Sequence, residues 1–251
     1  MKLSGVIITY NEAKNIRRCL HSLQDVCDEI LVLDSFSTDE TASICREFGV
    51  RFEQNTFEGH IQQKNEALRR AEYPWVLSLD ADEALTTELK QSILDLKSSV
   101  NEPAAYAMNR LTNYCGTWIK HSGWYPDTKV RLVYKELAQW GGVNPHDHLI
   151  TEPGLLIHQL NGDLLHYSYY TKADHFKQID YFSQIAAKEL FALNVKSSLA
   201  KIMIKVTAQF IKSYFLKRGF LDGLAGWHIA TRSAFATYKK YSLLRKLWKY
   251  A

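Results

Sequence analysis

The 251-residue chain has no uninterrupted apolar run approaching the ~20 residues that a bilayer-spanning helix requires. It has no P-loop and no GxGxxG, so kinase and dinucleotide-binding readings lose support. Cysteine is sparse. Cys19, Cys27, Cys45 and Cys115 make no CxxC pair, and the nearest two have seven residues between them. That pattern reads as reduced thiols in a cytosolic protein. The first residues read as a strand, without a charged and then apolar signal segment. Together these features predict a protein kept on the cytoplasmic side. Acid is scarce in one region only. From Lys196 onward there are 12 Lys or Arg and a single acid, Asp222, for a net +11, whereas the preceding 195 residues carry 19 bases and 26 acids, for a net −7. This asymmetry predicts that the tail meets an anionic partner.

A hydrophobic fraction of 46% is enough for a packed core and excludes global disorder. The first hundred residues alternate between two periods. "LSGVIITY", "EILVLDS", "VRFEQN" and "PWVLSLD" read as buried strands. Each is followed by a helical pattern, in "NEAKNIRRCLHSL", "STDETASICREFG", "GHIQQKNEALRRA" and "TTELKQSILDLKSS". Asn11 is the expected cap of the first helix and Gly49 the expected stop of the second. The alternation predicts an α/β fold whose mostly parallel sheet is covered by helices on both faces. "AYAMNRLTNYCG", "KVRLVYKE" and "GLLIHQLNGDLLHYSY" read as further strands joined by turns, one of them at Asn161-Gly162. Helical patterns dominate from Thr171 on.

In open α/β sheets, ligands bind beyond the carboxyl ends of the strands. Four polar clusters are predicted at that edge: Thr9 to Glu12, Asp34 to Asp39, Gln63 to Asn65, and Asp80 to Glu83. Asp39 reads as a helix cap or surface residue. Asp80 and Asp82 form an Asp-x-Asp pair directly after a strand, and carboxylates suit hard divalent cations. The acid after strand two suits a ribose hydroxyl. Glu83 either caps the next helix or braces Asp82.

"VIITYNEAKNIRRCLHSL", "ILVLDSFSTDETASI", "QQKNEAL" and "WVLSLDADEAL" resemble, in order, the signatures of family 2 glycosyltransferases with the Rossmann-like GT-A nucleotide-sugar-binding fold. The likeness covers about the first 170 residues. "GWYPDTKVRLV", "WGGVNPHDHL" and "LLHYSYYTKADH" resemble the branch that builds lipopolysaccharide core, especially its inner-core β-glucosyltransferases. The resemblance implies an inverting hexosyltransferase that moves a sugar, glucose first, from a UDP-sugar to a lipid-anchored inner-core acceptor. Transfer to a polyprenyl phosphate, or to another cell-surface polysaccharide precursor, is the alternative. Thr9, Tyr10, Glu12, Asp34, Lys64 and Asp80 would bind the nucleotide sugar. Asp82, with His166, would hold Mg²⁺ or Mn²⁺. Relatives often carry a His-Glu pair where this chain has "GGVNPHDHL", so Asp147 takes the place of the general base, flanked by His146 and His148. His166 also reads as a structural histidine. Trp124, Asp127 and Arg131 would shape the acceptor pocket; core packing for Trp124 and a salt bridge for Arg131 are the other readings.

Residues 1–170 are therefore expected to form the catalytic domain, with 1–100 as its nucleotide-sugar half and 101–170 as its acceptor half. Residues 171–251 would form a helical, basic appendage. On a helical wheel Lys201, Lys205 and Lys212 fall within about 40° of each other. Leu199, Met203, Val206, Phe210 and Tyr214 form the broad opposite face. The appendage reads either as an amphipathic surface on the inner face of the cytoplasmic membrane or as packed helices with a solvated basic face. No nucleic-acid motif accompanies the charge.

Overall fold

The computed structural model describes residues 1–100, 102–143 and 146–250, the His146 side chain excepted. The chain forms two compact units, one of residues 1–110 and 127–167, the other of residues 111–126 and 168–251.

The first unit opens with the expected alternation: β1 (Leu3–Thr9), α1 (Ile16–Leu23), β2 (Glu29–Asp34), α2 (Thr41–Glu47), β3 (Arg51–Gln54), α3 (His60–Arg70) and β4 (Trp75–Asp80). A short β5 (Glu83–Leu85) precedes α4 (Thr87–Ser99). Then come β6 (Ala105–Tyr114), β7 (Thr117–Trp118) and β8 (Asp127–Tyr134), a hairpin of β9 (Ala138–Val143) and β10 (His146–Thr151), and the long β11 (Ile157–Tyr169). The main sheet runs β3-β2-β1-β4-β8-β6-β11-β5, with β7 attached to β6. Its first four strands are parallel. The β4/β8, β6/β8 and β5/β11 pairs are antiparallel.

Alternation along each strand divides the core. Leu3, Ile7, Val32, Leu77 and Leu79 face α1, α2 and α4, whose Ile16, Leu20, Ile44, Leu89 and Ile93 complete one layer. Val6, Leu31, Leu33 and Val76 face the other way, onto Ala67 and Leu68 of α3 and onto Trp140 and Leu149 of the hairpin. Helices thus cover both faces of the parallel half, as the periodicity predicts.

Three local expectations fail for identifiable reasons. Asn11 does not cap α1: its φ is +54°, and its side-chain oxygen instead accepts from Thr38 N at 2.8 Å, tying the loop after β1 to the loop after β2. Asn161-Gly162 is not a turn. Both residues lie within β11, and Gly162 takes φ +89° where a Cβ would stand 2.3 Å from the backbone nitrogen of Leu89. A strand crossing this close to α4 has room only for glycine. Nor does Glu83 cap α4. Thr86 does so, accepting from Leu89 N at 3.3 Å and from Asp163 N at 3.1 Å. Gly49, at φ +64°, does follow the end of α2.

The second unit holds α5 (Lys172–Ala192), α6 (Leu199–Ile211), a π-helical turn (Lys212–Leu216), a 3₁₀ turn (Gly219–Asp222) and α7 (Gly223–Tyr250). A capping box starts α5, with Thr171 accepting from Asp174 N and Asp174 accepting from Thr171 N. Ala187, Ile202, Tyr241 and Leu244 form its helical core. A second cluster joins Tyr114, Ile119 and Ile229 to Trp124 and Tyr169. His175 packs on three rings there, with its centroid 4.9 Å from Tyr169, 5.4 Å from Tyr114 and 5.8 Å from Trp124. Burial, aided by Arg232, pushes the His175 imidazole down to about 4. The wheel drawn through residue 214 holds only as far as Ile211, because Lys212 and Tyr214 fall in the π-helical turn, where the regular 100° step ends. On α6 itself Leu199 and Met203 are exposed while Ile202 is buried.

Candidate active site

Strand order reverses at β1, which lies between β2 and β4. Such a switch point opens a crevice at the carboxyl ends of the strands. Register decides what lines it. Thr9 stands beside Asp34 across β1/β2, and Ile8 stands beside Asp80 across β1/β4. Three of the expected residues are therefore neighbours at one rim.

Asp34 is fully buried and accepts from Ser37 N at 2.8 Å, from the Ser37 hydroxyl and from Gln54 Nε2 at 3.3 Å. The buried Thr9 hydroxyl has no hydrogen-bond partner among the described residues, an expensive state in a protein that closes on nothing there. Tyr10 is exposed. Glu12 accepts from Asn15 Nδ2 at 2.7 Å. Its carboxyl is pushed up by burial and further by the negative charges of Asp82, Asp39 and Asp80, against the Asn15 hydrogen bond. Asp39, expected as a helix cap or surface residue, accepts from Thr41 N at the start of α2 and from Ala13 N, each at 3.0 Å.

Helix α3 sends three successive side chains in three directions, as a 100° step requires. Gln63 accepts from Asn55 Nδ2 at 2.9 Å, beyond β3. Asn65 exchanges two hydrogen bonds with the backbone of Trp140, at 2.8 and 2.9 Å, and so fixes the β9-β10 hairpin to the helix. Lys64, between them, is buried with its ammonium 2.9 Å from Asp80 Oδ1, 2.7 Å from Asp147 Oδ2 and 4.4 Å from the Trp140 ring centroid. The hairpin thereby delivers Asp147 to a lysine 83 residues away in sequence.

Next to this pair lies a second charged layer, in which Arg131 takes the salt-bridged alternative. Arg131, on β8, is buried with Nη2 2.8 Å from Glu83 Oε1 and 3.2 Å from Asp80 Oδ2. It is salt-bridged beneath the acids rather than open to an acceptor. Glu83 is buried too. Its Oε2 accepts from Asp80 N at 3.0 Å, so it braces Asp80 and not Asp82. Burial alone would raise the Asp80 carboxyl, but Lys64 and Arg131 outweigh it and hold that carboxyl far below the usual range. Asp82 stands apart from this knot, with Oδ2 3.2 Å from His166 Nε2. Strand β11 places His166 opposite Glu83, and Tyr167 N donates to the Asp82 carbonyl at 2.9 Å.

The remaining predicted residues lie elsewhere. Asp127 accepts from Arg110 Nη2 at 2.8 Å and from Lys129 Nζ at 2.9 Å. Trp124 sits in the aromatic cluster of the second unit. His148 is exposed, and Asp147 lies in strand β10 paired with Gly142. The His146 side chain, like Asn144 and Pro145, falls outside the described residues. Sequence reasoning placed Asn65 at this edge with Gln63 and Lys64, but missed Trp140 and also Arg110, whose Nη1 lies 3.6 Å from Glu83 Oε1. The nearest signal was Trp140 beside a Gly-Gly pair, ahead of the predicted base.

An implied divalent ion can be tested against this donor set. Asp82 and His166 offer one carboxylate and one imidazole, and Mg²⁺ or Mn²⁺ commonly takes one or two protein ligands and fills the rest with phosphate and water. The pair fits that pattern. Among the described residues no group of three or more His, Cys, Asp or Glu side chains forms a closed metal site.

The class defined by this switch-point sheet and its acid-lined rim is the GT-A fold. The family profile described as "Glycosyl transferase family 2" matches residues 4–148, and the chain belongs to that family; it is a glycosyltransferase. An uncharacterised glycosyltransferase of Rickettsia typhi is 30% identical, the match covering 98% of this chain and 87% of the relative. The lipopolysaccharide core biosynthesis glycosyltransferase LpsC of Rhizobium meliloti is 23% identical over 97% of this chain and 94% of its own. Among solved structures, residues 1–349 of S. aureus TarS in complex with UDP-GlcNAc share the fold, with a TM-score of 0.50 and 16% identity over 99% of this chain and 92% of that one.

Proposed function

We propose that this enzyme transfers a hexose, glucose first among candidates, from a UDP-sugar to a lipid-anchored lipopolysaccharide inner-core acceptor with inversion at the sugar carbon. The observation that carries the reading is the rim itself: Thr9, Asp34 and Asp80 side by side, with the Lys64–Asp147 pair at their edge. The binding of UDP-GlcNAc by TarS supports the uridine donor. The name of the Rhizobium relative supports the acceptor.

In this mechanism Thr9, Tyr10, Glu12 and Asp34 receive the nucleoside, and Asp80 contacts the ribose. The Lys64 ammonium turns to the donor's diphosphate. Asp82 and His166 would hold the divalent ion, which when bound supplies positive charge against the departing diphosphate. Asp147 takes the proton of the acceptor hydroxyl as that oxygen bonds to the anomeric carbon and the bond to the diphosphate oxygen breaks. The helical second unit holds the enzyme at the anionic face of the inner membrane, where the acceptor resides; among the described residues no helix is long and apolar enough to cross it.

One observation favours a second reading. The Asp147 carboxylate lies 2.7 Å from the Lys64 ammonium, so that contact has to open before it can meet an acceptor hydroxyl. A polyprenyl phosphate acceptor is already ionised and needs none. The test is a screen of UDP- and GDP-sugars against both acceptor types, with and without Mg²⁺ or Mn²⁺. Asp82→Asn is expected to abolish metal-dependent UDP binding and sugar turnover; intact turnover in that variant would remove the proposed mechanism.

A further inference from the structure

The end of the second unit where α6 gives way to α7 holds large apolar side chains in water. Leu224 is 79% exposed, Leu216 73%, and Phe215 and Leu221 55% each, with Phe220 beside them. Exposed Leu and Phe scattered singly are ordinary; five within ten residues are not. Lys212, Lys217 and Arg218, all exposed, share the same turns.

This end is built, not frayed. Asp222, the one acid after Lys196, has a side chain withdrawn from solvent and clamps residues 120–122. It accepts from Lys120 N at 3.2 Å, from His121 N at 3.1 Å and from His121 Nδ1 at 2.8 Å. Ser122 N donates to the Lys217 carbonyl at 2.9 Å, and the Ser213 hydroxyl donates to the Ser122 carbonyl at 3.2 Å. Two glycines let the backbones close. A Cβ on Gly226 would stand 1.7 Å from the Gly219 carbonyl oxygen, and one on Gly219 would stand 2.7 Å from both Ser122 Oγ and the Ser213 carbonyl oxygen. Arg218 takes φ +54°, a conformation that a non-glycine residue seldom adopts. The polar atoms of these turns are spent on internal bonds, and the apolar side chains are left outward among cations.

We propose that residues 211–224 form a preformed wedge that inserts Phe215, Leu216, Phe220, Leu221 and Leu224 into the headgroup–acyl boundary of an anionic bilayer. Lys212, Lys217 and Arg218 then pair with lipid phosphates. Charge decides between occupants. A second copy related by a two-fold axis would bring the same three cations opposite themselves, whereas an anionic leaflet meets both the apolar and the cationic groups. The inference rests on the reading of the second unit as membrane-facing and locates the contact within it.

The test is flotation of the full chain with vesicles of phosphatidylethanolamine and phosphatidylglycerol, against neutral phosphatidylcholine vesicles. Wild type is expected to float with the anionic vesicles. Leu216→Asp with Leu224→Asp should lower partitioning at least about tenfold on both vesicle types. Lys217→Glu with Arg218→Glu should lower it at least about 25-fold on anionic vesicles only. Melting temperature and UDP binding should match wild type in each variant. If the aspartates disturb the fold, Leu216→Ser with Leu224→Ser carries the comparison. Variants that float like wild type would overturn the wedge while leaving membrane association standing. A wild type that stays off all vesicles and dimerises through Leu216 and Leu224, by light scattering, would overturn both. Loss of UDP-sugar turnover in wild type would overturn the donor reading alone.

Discussion

The two units treat charge and apolar surface in opposite ways. In the first unit the acids at the strand ends are paired with buried cations: Asp80, Glu83 and Asp147 share Lys64 and Arg131. In the second, Lys212, Lys217 and Arg218 stand in water beside exposed leucine and phenylalanine. Burying an ionised group is costly unless a partner of opposite charge and good geometry accompanies it. The first unit accepts that cost where atoms must be held still. The second leaves its groups free where a soft, extended partner is to be met. A small crevice needs pre-positioned groups; a surface contact needs only density of the right kinds.

The comparison can be broken most severely at Asp147. With a hydroxyl acceptor, Asp147→Asn is expected to lower kcat by about 10²- to 10⁴-fold, the range for losing a general base. Little loss with a polyprenyl phosphate acceptor would move the assignment to the second reading. Next in size is Arg131→Met. It leaves the fully buried Glu83 with the longer Arg110 contact of 3.6 Å beside Asp80, and should cost up to about 3–5 kcal/mol in denaturant unfolding. Adding Glu83→Gln should recover part of that loss, because the under-compensated buried charge, not the missing guanidinium, carries the penalty.

The smallest effect separates the units by pH. His175 sits in its aromatic cluster at about 4, against an ordinary 6.5. Between these values the unfolded imidazole binds a proton and the folded one does not, so stability falls as pH drops from 6.5 toward 4. Asp80, held below the usual carboxylate range, keeps its contribution over that interval and loses it only as pH falls below about 4. Acid titration followed by fluorescence should therefore loosen the second unit first. His175→Phe should flatten the dependence between pH 6.5 and 4 and leave the lower transition in place.

Much of the rim was legible before any coordinates. Asp34 and Asp80 end apolar runs of strand length, and a β-α alternation brings such ends to one edge. The helix after the third strand placed the cluster Gln63 to Asn65 at that edge, and the nucleotide role of Lys64 came from the family resemblance. Arg131 was not legible as a partner of Glu83, because the two are 48 residues apart and meet only through the antiparallel pairing of β8 with β4. Gly162 read as a turn because Asn-Gly usually makes one; the approach of α4, invisible to local pattern, put it inside a strand. The helical wheel failed at residue 212 for a related reason. A π-helical turn breaks the 100° step, and the packing of Gly219 on Gly226 that accompanies it joins residues seven positions apart.

By itself the sequence determined the β-α alternation, the acids at the strand ends and the segregation of basic charge after residue 196. Each of these depends on spacing within a dozen residues, which backbone geometry converts directly into a face or an end. Only the tertiary structure decided which acid pairs with which base, and which apolar side chains of the second unit are covered and which are left in water. Those outcomes depend on register between distant strands and on close backbone approach, and no local period encodes them.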